Sequence, residues 1–185
     1  MGLTSYFRDA FDITNTDKGY YHTYEHMYSL IFHNFTPKNI LEIGVKKGKS
    51  IAAWQKLFPE TNITGMDIIK NKLVIPEDSF NYMIGDSTNP IFTDKLDKQD
   101  VIIDDGSHYF YDQIKTFDNL KDKFNFFYVI EDINFVKQSN DASLDYSLSA
   151  IRDVVMKNGF KGIAIFDSYN ERKITKSMVI QSANF

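Results

Sequence analysis

Short apolar runs alternate with helix-like stretches along most of the chain, and this alternation constrains the fold more than any other feature of the sequence. The runs that predict strands are residues 39–43, 63–66, 80–84, 101–103 and 126–130. Stretches with helical spacing cover residues 50–58, 109–124 and 142–157. Because parallel strands need crossover connections, which are usually helices, the alternation predicts an α/β fold with a mostly parallel sheet and helices on both faces.

The two ends of the chain depart from this pattern. Apolar residues at helical spacing over residues 20–35 predict an amino-terminal helix that ends before Pro37. Residues 162–166 and 178–180 are apolar and flank a polar turn, which predicts a hairpin and an antiparallel strand at the end of the sheet. With 185 residues and no internal repeat or linker, we expect one domain, with residues 1–36 as an amino-terminal cap segment and helix and residues 37–185 as the α/β core.

Composition removes several classes of function. The chain has no cysteine, which excludes disulfide frameworks, thiolate metal sites and cysteine nucleophiles and favours a reducing, cytoplasmic setting. There are 25 acidic and 21 basic residues, and the net charge of −4 argues against a protein that binds nucleic acid mainly through its phosphates. No apolar run is long enough to span a membrane. We therefore expect a soluble protein with no nucleic-acid or membrane partner.

The ends of the predicted strands are acidic. In open α/β sheets, ligands bind at the carboxyl ends of the strands. The carboxylates that follow the five runs are Glu42, Asp67, Asp86, the pair Asp104 and Asp105, and the pair Glu131 and Asp132. A solvated loop acid would explain any one of these residues, but five strands that end in this way predict a site along one edge of the sheet.

The first of these strand ends carries a glycine-containing loop. Gly44 and Gly48 lie between a predicted strand and a helix, where glycine permits a tight turn and a close approach to a ligand, although an ordinary turn would also use them. Asp67 ends the next strand, where a carboxylate can accept hydrogen bonds from both hydroxyls of a ribose. Lys46 and Lys47 stand where a dinucleotide fingerprint has another glycine. S-adenosylmethionine, which has a ribose but no phosphate, therefore fits better than a dinucleotide.

These motifs resemble the class I S-adenosylmethionine-dependent methyltransferases, and among them the metal-dependent sugar O-methyltransferases of macrolide biosynthesis and their cephalosporin-hydroxylase-like relatives. The resemblance covers most of the chain. Its most specific stretches are Ile102-Ile103-Asp104-Asp105-Gly106-Ser107-His108 and Tyr128-Val129-Ile130-Glu131-Asp132, and it also includes Thr16-Asp17-Lys18-Gly19, His22, Tyr24 and Leu41-Glu42-Ile43-Gly44-Val45 with Trp54. The fold that it implies is a Rossmann-like class I methyltransferase sheet, mostly parallel with an antiparallel carboxyl-terminal strand.

The resemblance also implies a set of site residues. Asp105, Glu131 and Asp132 would ligate Mg²⁺ or a similar divalent cation, and His108, with Asp105, would act in catalysis by taking the proton of the acceptor hydroxyl. The implied cofactor-binding residues are Tyr24, Glu42, Gly44, Gly48, Ser50, Asp67, Asp86 and Asp104. Local roles stay open for several residues: a helix-entry hydrogen bond for His108, a helix-dipole interaction for Glu131 and Asp132, and a turn for Asp86.

The predicted function is methyl transfer from S-adenosylmethionine to a hydroxyl of a sugar or small polyol. The chain lacks the additional amino-terminal region of the macrolide enzymes, and only a short polar stretch, residues 135–141, follows the implied metal ligands, which favours a small acceptor over a macrolide. Two alternatives remain at this point: a non-catalytic cofactor-binding partner or regulatory subunit, and an enzyme that consumes the cofactor in a different reaction. The sequence also leaves open a homo-oligomer.

Overall fold

Seven strands form one mixed sheet in the part of the chain that the computed structural model describes, residues 2–133, 144–170 and 173–182. The strands are β1 (Asn39–Ile43), β2 (Asn62–Asp67), β3 (Asn81–Ile84), β4 (Gln99–Asp104), β5 (Phe124–Ile133), β6 (Gly162–Asn170) and β7 (Lys173–Gln181). Their order in the sheet is β3-β2-β1-β4-β5-β7-β6. Strands β1 to β5 pair in parallel, and β7 runs antiparallel to both β5 and β6. The predicted fold class is therefore confirmed.

Helices cover both faces of this sheet. They are α1 (Leu3–Thr14), α2 (Asp17–Tyr20), α3 (Glu25–Ile31), α4 (Lys49–Leu57), α5 (Pro90–Thr93), α6 (Phe110–Leu120) and α7 (Leu144–Lys157), with a short 3₁₀ turn at Glu77–Ser79. Because successive side chains of a strand point to opposite faces, Val101 and Ile103 pack into the core under α1, α3 and α4, whereas Ile102 packs into the core under α6 and α7. None of the helices within the described residues is long and apolar enough to cross a membrane.

The amino-terminal region differs from the prediction. The single helix expected over residues 20–35 is replaced by the short helices α2 and α3, because Thr23 adopts a φ of +55°, which a continuous right-handed helix does not allow. Helix α1 was not predicted, although Phe7, Ala10 and Phe11 have helical spacing and are buried on one face. The consequence is that residues 16–24, which contain the short helix α2, lie directly beside the carboxyl edge of the sheet.

The register of the parallel strands brings the predicted acidic ends together. Ile43 of β1 pairs with Met66 of β2 and with Asp104 of β4, and Asp104 pairs in turn with Ile130 of β5. The loops that follow these strands therefore leave the sheet at the same level. Polar residues that are far apart in the sequence meet at this edge.

Candidate active site

A cavity of about 790 Å³ opens at the carboxyl edge of the sheet, which is the size range of small-molecule and cofactor sites. The predicted site residues that line it are Gly44, Ser50, Asp67, Asp86, Asp104, Asp105, His108 and Asp132. Four other predicted residues, Tyr24, Glu42, Gly48 and Glu131, do not line the cavity. Tyr24, Glu42 and Glu131 are buried behind the wall of the cavity. Residues 135–141, which the prediction of a small acceptor invoked, lie outside the described part of the chain.

Gly44 is where the loops after β1 and β4 touch. Its φ is +91°, and a Cβ atom at this position would lie 2.0 Å from the carbonyl oxygen of Asp105. The amide of Asp105 donates to the carbonyl of Ile43 at 3.0 Å, which holds the two loops in this contact. Only glycine fits such a backbone approach without displacing one of the loops. Gly48 has a different role, since with a φ of +77° it is the N-cap residue directly before helix α4.

Glu42 lies in β1, behind the wall of the cavity. Its side chain is fully buried, and its Oε2 accepts a hydrogen bond from the indole Nε1 of Trp54 at 2.9 Å. Burial raises the pKa of Glu42, an effect that the charge of Lys18 and hydrogen bonds from Ser50 and Trp54 oppose. Ser50, which lines the cavity, and Trp54 both belong to helix α4, so these contacts connect Glu42 with that helix.

Asp67 lies at the edge of the cavity, at the end of β2. Its Oδ2 accepts hydrogen bonds from the backbone amide of Lys46 at 2.8 Å and from Asn71 Nδ2 at 2.9 Å. These donors hold the carboxylate beside the loop that contains Gly44 and Gly48. Asp86 also lines the cavity, but its Oδ1 accepts from the amide and the hydroxyl of Thr88, as expected of a residue that shapes a turn.

Asp104 ends β4 on the floor of the cavity and is only 2% exposed. Its Oδ1 accepts a hydrogen bond from the amide of Gly106 at 3.3 Å. Burial raises the pKa of Asp104 to about 7, and the bond from Gly106 opposes this shift in part. This carboxyl group is therefore partly protonated near neutral pH, unlike an ordinary aspartate.

Asp105, His108 and Asp132 form a compact group on one side of the cavity. One potential ligand atom from each of the three side chains lies within 4.8 Å of the others. His108 Nε2 lies 3.9 Å from Asp105 Oδ1 and 4.0 Å from Asp132 Oδ2. His108 and Asp132 both have positive φ values, +60° and +51°, a strained backbone conformation that residues at functional sites often adopt. The sequence prediction named all three residues, and the structure brings them together.

Lys18 is a residue of this site that the sequence reasoning did not single out. Its side chain is 1% exposed, and its Nζ lies 2.7 Å from Asp105 Oδ2, 2.6 Å from Glu131 Oε2 and 3.4 Å from Glu42 Oε1. Although burial opposes its charge, the three carboxylates raise the pKa of Lys18 well above its ordinary value. The signal available in the sequence was the position of Lys18 in the Thr-Asp-Lys-Gly stretch that carries the resemblance. A buried lysine needs acidic partners, and the ends of the strands supply them.

Two tyrosines complete the back of the site. The hydroxyl of Tyr24 donates to Asp132 Oδ1, and the hydroxyl of Tyr28 donates to Glu131 Oε1. Tyr24 thus contacts an implied metal ligand rather than the cavity, where a cofactor-binding residue would lie. Both carboxylate oxygens of Glu131 are engaged, one by Tyr28 and one by Lys18. Ligation of a metal ion by Glu131 stays a prediction.

Comparison with known proteins identifies the fold. No protein-family model matches the sequence, and no curated protein matches it. The MycE methyltransferase of the mycinamycin biosynthetic pathway, solved with Mg and S-adenosylhomocysteine (SAH), aligns with a TM-score of 0.74 and 23% identity over 96% of this chain. The chain spans 55% of MycE, about half of its length.

Two further solved structures match nearly their whole length. An O-methyltransferase from Bacillus cereus in complex with SAH gives a TM-score of 0.61 and 13% identity, covering 96% of this chain and 91% of its own. The plantazolicin methyltransferase BpumL, also with SAH, gives a TM-score of 0.60 and 18% identity over 96% of this chain and 85% of its own. At such identities the likeness concerns the fold. The chain has the fold of the class I S-adenosylmethionine-dependent methyltransferases.

Proposed function

We propose that the protein is an S-adenosylmethionine-dependent O-methyltransferase that uses Mg²⁺ or a similar divalent cation and acts on a hydroxyl of a sugar or small polyol. The observation that carries this proposal is the position of Asp105, His108 and Asp132 in the same cavity as the Gly44 loop and Asp67. The shared fold with SAH-bound methyltransferases supports the cofactor. The presence of Mg in the MycE structures supports the cation.

The glycine loop and Asp67 are the cofactor side of the cavity. Gly44 lets the loop after β1 touch the backbone of Asp105, which keeps the two loops that line this part of the cavity together. The two oxygens of a carboxylate have about four acceptor positions, and the three donors to Asp67 among the described residues leave about one position, on Oδ1, for a ribose hydroxyl. The cofactor's methyl group would then face the side of the cavity that holds His108.

A second group of residues in the cavity has the donor set of a divalent-cation site. Carboxylate oxygens from Asp105 and Asp132 suit Mg²⁺ and Mn²⁺. A cation held there would lower the pKa of an acceptor hydroxyl bound to it.

His108 is the group that we assign as the general base. As the acceptor oxygen attacks the methyl carbon, the new C–O bond forms, the C–S bond of the sulfonium breaks, and the hydroxyl proton passes to the imidazole. The products are a methyl ether and SAH. The neighbouring carboxylates of Asp105 and Asp132, 3.9 and 4.0 Å from Nε2, stabilise the imidazolium that this transfer creates.

Aromatic side chains at the mouth of the cavity favour a ring-shaped acceptor. Tyr20 and Tyr21 both line the cavity and are 65% and 38% exposed. Tyrosine faces pack well against the apolar faces of sugar rings while the phenol oxygen stays in water. This arrangement supports a sugar or small polyol as the acceptor class.

The direct test is a methyl-transfer assay with labelled S-adenosylmethionine and a panel of sugars, nucleotide sugars and polyols, with Mg²⁺ and with EDTA. We expect transfer that depends on Mg²⁺ and falls by about 100-fold or more in His108→Ala, in line with loss of a general base. Asp118→Asn, at a half-exposed position on helix α6, is the matched control and should keep full activity. Cofactor binding without transfer to any acceptor would favour the non-catalytic alternative, and unchanged activity in His108→Ala would contradict the proposed base.

A further inference from the structure

Each of the two carboxylates beside His108 has its oxygens divided between two environments. Asp105 Oδ1 faces His108, whereas Asp105 Oδ2 lies 2.7 Å from Lys18 Nζ. Asp132 Oδ2 faces His108, whereas Asp132 Oδ1 accepts from the Tyr24 hydroxyl. In both residues, the oxygen that is farther from His108 contacts a side chain of the amino-terminal segment. The oxygen that is nearer to His108 lies where a cation could bind.

The groups that hold the far oxygens come from outside the α/β sheet. Lys18 lies in α2, and Tyr24 is the N-cap residue of α3. Both side chains are almost fully buried, at 1% and 2% exposure, and neither lines the cavity. His22, between them, places its Nδ1 3.4 Å from the same oxygen of Asp132 that Tyr24 contacts. The sheet supplies the carboxylates, and residues 16–28 fix how those carboxylates are oriented.

We propose that Lys18 and Tyr24 are positioning residues of the divalent-cation site, which make Asp105 and Asp132 each present a single oxygen to the ion. Cation binding and docking of residues 16–28 onto the sheet are therefore coupled. This inference rests on the cation site of the proposed function. It adds to that function a role for Lys18 and Tyr24, whose side chains do not line the cavity.

The physical reason is orientation combined with charge. A carboxylate that is free to rotate can offer either one or both of its oxygens to an ion, and hydrogen bonds to one oxygen select the single-oxygen mode. Partners that hydrogen-bond to metal ligands typically change metal affinity by about 10- to 100-fold when they are removed. Because the coupling is thermodynamic, an ion that prefers the docked arrangement must also stabilise it.

The structure provides a matched pair of variants for the test. Tyr24 and Tyr28 are both buried tyrosines whose hydroxyls donate to acidic residues at the end of β5. Tyr24 contacts Asp132, which belongs to the compact group with His108, whereas Tyr28 contacts Glu131, which does not. Tyr24→Phe and Tyr28→Phe each remove one oxygen atom and no charge. These variants are preferable to Lys18→Met, which would leave three carboxylates, two of them fully buried, without their cation and would endanger folding.

Calorimetric titration of the metal-free protein with Mn²⁺ gives the first result. We expect Tyr24→Phe to bind Mn²⁺ about 10-fold more weakly than the wild type and Tyr28→Phe to bind it equally well. Equal affinity of Tyr24→Phe and the wild type would overturn the inference. An equal loss in both variants would do so as well, because it would assign the effect to general packing or to ligation by Glu131.

Hydrogen exchange with and without Mn²⁺ gives the second result. We expect Mn²⁺ to slow amide exchange in residues 17–31 of the wild type, and to do so less in Tyr24→Phe, while exchange in helix α7 stays unchanged. Binding of Mn²⁺ without any change in residues 17–31 would refute the coupling but leave the proposed function intact. A wild-type protein that binds no Mn²⁺ would refute both.

Discussion

Substitution of Gly44 by alanine tests the close contact between the loops after β1 and β4. The added Cβ would lie 2.0 Å from the carbonyl oxygen of Asp105 and 2.7 Å from its carbonyl carbon, and both are backbone atoms. Forcing an alanine to the observed φ of +91° costs about 1–3 kcal/mol, and relief of the clash costs about 1–3 kcal/mol more. Since Asp105 belongs to the compact acidic group, the variant should also disturb the site.

Gly159 gives a matched control for the conformational part of this cost. Its φ is +88°, close to that of Gly44, but a Cβ there would have no atom within 4 Å. Gly159→Ala should therefore lose only the conformational term, about 1–3 kcal/mol. For a chain of this length, about 1 kcal/mol corresponds to roughly 2–4 °C in melting temperature, so Gly44→Ala should melt roughly 2–12 °C below Gly159→Ala.

Thermal denaturation followed by circular dichroism measures this difference, and calorimetry with SAH measures its consequence for the cavity. We expect Gly159→Ala to bind SAH as the wild type does and Gly44→Ala to lose most of its affinity. Equal melting temperatures for the two variants would refute the reasoning. It would mean that the loops separate at little cost and that the contact does not hold the site together.

Three further predictions concern the protonation of Asp104, the hydrogen bond between Trp54 and Glu42, and the cation. Burial raises the folded-state pKa of Asp104 from 3.8 to about 7, so the stability that its proton contributes is complete below about pH 4 and is lost as pH rises to about 7. In metal-free protein, the free energy of unfolding of Asp104→Asn relative to the wild type should therefore increase between about pH 4 and 7, by at most about 4 kcal/mol, and a constant difference over this range would contradict this. Trp54→Phe removes the indole donor to Glu42 and should lower the free energy of unfolding in urea by about 1–3 kcal/mol; no loss would show that Glu42 needs no partner. Mg²⁺ at 100 times its dissociation constant should stabilise the wild type by about 2.7 kcal/mol in a thermal shift assay and leave Asp132→Asn unchanged, whereas an equal shift in both would place the ion elsewhere.

The sequence predicted the parts of the site that depend on sheet topology. Parallel strands place their carboxyl ends at one edge, so residues that directly follow β1, β2 and β4 had to meet once the strands were identified. The aligned pairs of Ile43 with Met66 and of Ile43 with Asp104 confirm this register. The glycine at position 44 was predicted as a close approach, although its partner is the backbone of Asp105.

The parts that depend on docking of the amino-terminal segment could not be predicted from local patterns. The helical spacing of residues 20–35 does not reveal the positive φ of Thr23, which divides the region and brings Lys18 under the sheet edge. Adjacent residues of a regular strand point to opposite faces, so strand geometry alone does not indicate where the carboxylates of Glu131 and Asp132 lie. The register irregularity between Ile130 and Ile133 and the positive φ of Asp132 change this geometry and direct the two carboxylates to different tyrosines.

Calorimetric titration with SAH is the most direct test of the claim that this cavity is a methyltransferase cofactor site. We predict one site per chain in the wild type, a loss of affinity of about 10-fold or more in Asp67→Ala, and no change in Asp78→Ala, which alters an exposed carboxylate outside the cavity. Absence of SAH binding to the wild-type protein, or equal binding by Asp67→Ala, would contradict the account.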